Sequence, residues 1–202
     1  MRDRSFRLVA ARGTGAYNQE HGGQTMDASL SGQFAKLERQ KQTLLEQLAE
    51  WDSPLLAFRS APGQWSALEV LDHIVKTESA IVATMRNHAA SSRSVSAPDR
   101  VRGFLLILLF LTPVRVKAPG SVKAIVPSGD NSFESLGAAW TQTRDELESF
   151  LNSVPRKRLW PAVFRHPVAG WMTLPRTLSF LSAHIIHHVF QLRRLAEASQ
   201  TR

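Results

Sequence analysis

The sequence contains no cysteine. That absence excludes disulfides, thiolate metal sites and a cysteine nucleophile, and leaves the redox compartment open. Any metal must be held by histidine, carboxylate or water. Long hydrophobic runs are missing too. The strongest, FLLILLFL at 104–111, ends at Thr112-Pro113, well short of the roughly 20 residues needed to span a bilayer. It reads as core or interface, and no membrane span is expected. The N-terminal stretch MRDRSFRLVAARGTGAYNQEHGGQT carries arginines and glycines but lacks the sustained apolar segment and cleavage site of a secretory signal, so the expected compartment is the cytoplasm. There is no internal repeat, no low-complexity tract, no long run of Lys/Arg and no recognisable DNA-binding motif.

What is present is an ordinary globular composition of 202 residues, 43% hydrophobic and 21% charged, enough for one domain with a sizeable core. Residues 1–25 are expected to be a disordered or loosely attached leader, with Met26 a candidate start, and residues 26–198 to form the folded domain. The net charge of +8 is uneven. Residues 86–123 carry seven Lys/Arg against one Asp/Glu, and residues 156–202 carry eight against one. Because these cations are scattered, a solvated basic surface or an anionic small substrate fits them better than nucleic acid.

Four helices follow from apolar spacing. The first, over 28–51, repeats Leu30, Phe34, Leu37, Leu44, Leu48 and Trp51, with Lys41 the one polar break. The second starts at Ser66-Ala67-Leu68-Glu69, a capping box in which Trp65 and Val70 stand as a hydrophobic staple, and runs to about His88. The third begins near Asn131 or Ser132 and continues to Val154, before Pro155. The fourth starts around Thr173-Leu174-Pro175 and reaches about Glu197. Its stripe alternates fours and threes through Leu174, Leu178, Leu181, Ile185, His188, Leu192 and Leu195, which places His188 on a seam facing the core. No sustained strand pattern appears between the helices. Residues 89–130 read as a long crossover containing a short apolar helix. The expected fold class is all-α, a four-helix bundle with a long crossover between helices two and three.

Within the last helix, HIIHH at 184–188 sets three imidazoles in an otherwise apolar run. His184 and His188 are one turn apart and can aim at a common point, whereas His187 is rotated about 100° from His188. A third ligand from another core helix would complete a site, and His73 in EVLDHIVKTE is the candidate. Three neutral imidazoles suit zinc, nickel, copper or ferrous iron and leave positions for water and substrate. The Glu of the zincin pattern is missing. From spacing alone, a metal site and a set of satisfied or half-exposed histidines fit equally well. Trp65 and Trp171 read as packing residues.

RSAPGQWSALEVLDHIVKTE at 59–78 and FRHPVAGWMTLPRTLSFLSAHIIHHVFQLRRL at 164–195 together resemble the two signatures of the DinB-like superfamily: a Trp-Ser start leading to a metal-binding His, and a His-Pro and Gly loop followed by a His-x-x-x-His helix ending in Gln. RVKAP at 115–119 resembles a segment of the crossover in such proteins. The resemblance covers roughly residues 28–196. It implies an up-down bundle, a divalent metal (Zn, Ni, Mn or Fe) on His73, His184 and His188, and often a homodimer. It also implies metal-dependent transfer of a low-molecular-weight thiol, such as bacillithiol or mycothiol, to an electrophilic small molecule, or a related hydrolysis. A non-catalytic metal-binding or stress-response module is the alternative. Gln191, three residues after His188, is expected to orient substrate or a water at the site, and His187 to serve beside the ligands or merely in a helix contact. Glu69, one turn before His73, could orient that ring, although its capping duty competes.

Overall fold

The computed structural model describes residues 25–115 and 125–201. The leader expected over 1–25 therefore lies outside the described residues except for Thr25, and so does the RVKAP segment except for Arg115.

Helix α1 (Ala28–Ala49) is capped by Asp27, whose carboxylate accepts from Ser29 N at 2.9 Å. Lys41, the polar break in its stripe, is buried and pairs with Glu38 at 3.0 Å. The short α2 (Ser53–Ala57) has Asp52 as its cap and Pro54 in its first turn. Helix α3 (Ala67–Asn87) begins with the expected capping box: Glu69 N donates to Ser66 Oγ at 3.3 Å, and Ser66 N donates to Glu69 Oε2 at 2.8 Å. The apolar run of the crossover lies in α4 (Ala97–Phe110), capped by Ser96 with Pro98 in its first turn. Helix α5 (Phe133–Ser153) starts from Ser132, and α6 (Leu174–Gln200) from Thr173. Every residue of the predicted α6 stripe is buried, including His188.

Between α5 and α6 the chain forms an antiparallel hairpin, β1 (Ala162–His166) and β2 (Gly170–Thr173). The expectation of no strand is corrected here. The strands are only five and four residues long, β1 is buried at three successive positions, and a bulge between Ala162 and Phe164 breaks its register, so no two-residue alternation is visible in the sequence. The turn is legible as His166-Pro167…Gly170, where Gly170 has φ +76°. The described chain is thus mostly helical with one small sheet.

The four long helices contact one another in a ring: α1 packs on α5 and α6, and α3 packs on the same two. Helix α4 lies outside this ring against α6 and β2. Leu37, Leu44, Leu71, Ile74, Trp140, Leu147, Leu178 and Leu181 form the center of the core. One buried polar cluster ties α3 to α5. The Glu78 carboxylate accepts from Trp140 Nε1 at 3.0 Å and from Arg144 Nη2 at 2.9 Å, which offsets the desolvation of both charges. Burial pushes the Glu78 carboxyl upward, opposed by Arg144.

A candidate metal centre between α3 and α6

His73 comes from the second turn of α3, and His184 and His188 come from adjacent turns of α6, a helix that α3 contacts directly. The ligand-capable nitrogens of these three rings all lie within 4.8 Å of one another. His184 Nε2 and His188 Nε2 are 3.0 Å apart. All three residues are buried.

The orientation of each ring has a local cause. His73 Nδ1–H donates to the Ile125 carbonyl at 2.8 Å, which turns its Nε2 toward the cluster. The segment carrying Ile125 is fastened to α3 by Asp72, which accepts from Ser128 N at 2.8 Å and from Asn131 Nδ2 at 3.3 Å, and by Lys76, whose Nζ donates to the Val126 carbonyl at 3.3 Å. His188 Nδ1–H donates to Gln191 Oε1 at 2.9 Å, so a neutral His188 presents its Nε2 lone pair to the same point. Two ligand nitrogens about 2.0–2.1 Å from a shared ion stand about 3.0–3.4 Å apart in right-angled to tetrahedral geometry, and the His184–His188 spacing fits that. The donor chemistry and the fixed outer nitrogens therefore suit a divalent ion: the three histidines could hold one.

Electrostatics points the same way. Burial lowers the pKa of His184 and His188 well below the ordinary value, and their positive charges would also repel one another and that of His73. His73 is lowered by burial, with the Ile125 carbonyl and Asp72 acting against it. Neutral imidazole is the metal-binding form.

Aromatic rings enclose the cluster. Trp65 is 4.8 Å from His73 by ring centroids, and Phe180 stacks on His184 at 5.8 Å. Phe110, the inward residue at the end of α4, lies 4.8 Å from His187 at an interplanar angle of 22°. A surface groove of about 660 Å³ between α1 and α5 is lined by none of these histidines.

His187 is not among the three clustered ligand groups. Its ring is buried against Phe110, and its Nδ1 makes no hydrogen bond with the described residues. Gln191 Oε1 accepts from His188 Nδ1 at 2.9 Å. Glu69 does not reach His73: its carboxylate is held by Ser66 N and by Arg59 at 2.8 and 2.9 Å. Trp171 packs, as expected, between Arg93 and His88. Ile125, Asp72, Phe110 and Phe180 were not singled out by the sequence. The only hint was Asp72 preceding His73 with Lys76 one turn later.

The His-Pro and Gly loop has a structural role. His166 Nδ1 accepts from Val168 N and Ala169 N, both at 3.1 Å, and so closes the hairpin turn, while its ring meets Phe180 edge-on at 5.0 Å. Burial pushes its pKa down to about 4.

No curated protein and no solved structure matches the chain significantly. The profile of the DinB superfamily matches residues 36–192, a span containing all three clustered histidines, both of their supporting contacts and the hairpin. With most of its length inside that match, the chain belongs to the DinB superfamily.

Proposed function

We propose that this protein is a divalent-metal-dependent enzyme that transfers a low-molecular-weight thiol to an electrophilic small molecule, or carries out a related hydrolysis, within a four-helix bundle whose crossover runs from α3 to α5. The observation carrying this reading is the convergence of three neutral imidazole nitrogens within 4.8 Å, with the outer nitrogens of two rings already engaged.

When bound, a divalent ion would supply Lewis acidity that lowers the pKa of a thiol or water brought to it. His73, His184 and His188 would hold it. The Ile125 carbonyl and Gln191 keep His73 and His188 in the tautomer that offers Nε2. Phe110, Phe180 and Trp65 exclude water from the rings. His187, with its buried Nδ1 unpaired among the described residues, is assigned the acceptance of a proton from the incoming nucleophile. No protein thiol exists to form a covalent intermediate with the substrate.

The test is a thiol-conjugation screen on the metal-loaded full chain. Chelation is expected to abolish turnover and readdition of divalent metal to restore it, and His187→Ala is expected to lower the rate about a hundredfold with bound metal unchanged. Activity that persists in metal-free protein would overturn the reading. The enclosure of His184 and His188, 7% and 4% exposed, favours a second reading, a non-catalytic metal-binding module. Stoichiometric metal with no turnover across the screen would decide for it.

A further inference from the structure

Helix α4 is apolar on both sides, but only one side is buried. Gly103 and Phe110 face inward, Gly103 against Met172 of β2, whose terminal methyl would stand 3.5 Å from a Cβ there, an ordinary packing distance. On the other side Val101, Phe104, Leu105, Leu108, Leu109 and Leu111 are 38–58% exposed. They recur at helical spacing and continue into Val114, 53% exposed just beyond the helix. Together they leave on the order of 600 Å² of apolar surface on one face, the upper end of what a soluble monomer shows as its largest patch.

The rim of this face is cationic. At the start of α4 stand the exposed Arg100 and Arg102, with Arg176 of α6 placed 5.8 Å over the Phe104 ring. At its end Arg194 donates to the Pro113 carbonyl at 3.1 Å, close enough to Arg115 for each guanidinium to repel the other. Lys36 of α1 lines the groove of about 180 Å³ that also contains Ile107 and Leu111. Against these six cations stand Asp99, already bound to Arg102, and Glu197 beside Arg194.

We propose that α4 is a membrane-surface element that lays its outer face onto a bilayer containing anionic lipid. An apolar helix face rimmed by Arg and Lys is the arrangement that inserts into the headgroup boundary, with Phe and Leu entering the acyl region and the cations meeting lipid phosphates. A second copy of this chain is the poorer occupant, because an isologous pairing would bring one cationic rim against the other. The helix docks along the surface and does not span: no described helix is long and apolar enough to cross a membrane. Phe110 connects this face to the histidine cluster, so the cluster would lie one helix away from lipid. The proposal does not rest on the metal reading, and His73→Ala protein is expected to bind membranes like the wild type.

The test is co-sedimentation of the full chain with vesicles of equal parts phosphatidylglycerol and phosphatidylcholine, and with vesicles of phosphatidylcholine alone. Binding to the anionic vesicles is expected to be at least about tenfold tighter and to weaken with salt. Leu105→Glu/Leu108→Glu is expected to lose it, as is the milder Leu105→Ser/Leu108→Ser, with helical content unchanged because both leucines are exposed. Arg100→Gln/Arg115→Gln is expected to weaken it severalfold. No binding to the anionic vesicles at low salt would overturn the proposal, as would binding that survives the leucine substitutions. So would a dimer that these substitutions split in sedimentation velocity while vesicles have no effect, an outcome assigning the face to a second copy.

Discussion

His188 donates its Nδ1 proton to the Gln191 carbonyl, a contact that would fix the tautomer a metal ligand needs. Gln191→Ala is expected to lower affinity for a divalent ion about 10–100-fold in a calorimetric titration, while Gln191→Glu, which retains an acceptor, keeps most of it. Unchanged affinity in the alanine variant would place the origin of the ring orientation elsewhere. The metal-free protein also carries an acid sensitivity set by burial. His73, His166, His184 and His188 all have folded pKa values below the ordinary 6.5, His166 at about 4. The unfolded chain therefore binds more protons than the folded one below about pH 6.5, so stability is full above that pH and is lost as pH falls toward the folded values. Thermal midpoints of metal-free protein should be flat from pH 8 to about 7 and decline steadily toward pH 4–5; a rise over that acid range would contradict the assignment of neutral buried rings. Much of this was legible at the level of single residues. The four-residue spacing of His184 and His188 declared a shared direction, and the seam position of His188 declared its burial. The contribution of Ile125 was not legible, because a backbone carbonyl has no residue signature and its placement depends on Asp72 fastening a distant segment.

At the scale of elements, the long helices announced themselves because capping chemistry and apolar period agree at each. Ser66 with Glu69 marks the start of α3, and Thr173 with Pro175 that of α6. Shorter elements were hidden. The five residues of α2 give no periodicity to read, and the hairpin's bulge removes the alternation that identifies a strand. The hairpin is nonetheless anchored at one residue. Gly170 has φ +76°, and a Cβ added there would collide with the Asp99 carboxylate at the start of α4. Gly170→Ala is therefore expected to cost at least about 2 kcal/mol, read as a lower midpoint in denaturant. Gly32→Ala, where a Cβ would meet open space, should cost nothing or stabilise α1. Equal effects of the two substitutions would show that the hairpin and α4 are not in contact as described.

Across the whole molecule, the ring of α1, α3, α5 and α6 brings His73 to two histidines more than a hundred residues later in the chain, and this juxtaposition was beyond the sequence's reach from spacing alone. His73 was only a candidate third ligand on another core helix, which the resemblance to the DinB-like superfamily made specific. The direct α3–α6 contact and the shared burial of the three rings give it a physical basis. The outer face of α4 lay in the strongest apolar run, which reads equally as core or interface because both of its sides are hydrophobic; only the fold distinguishes them. In the proposed site one ion is held jointly by α3 and α6. Elemental analysis of the purified full chain, after reconstitution and removal of free metal, should find close to one divalent ion per chain in the wild type and almost none in His73→Ala, with the helical circular dichroism of the two proteins matching. Full occupancy in His73→Ala, or no retained ion in the wild type, would contradict it.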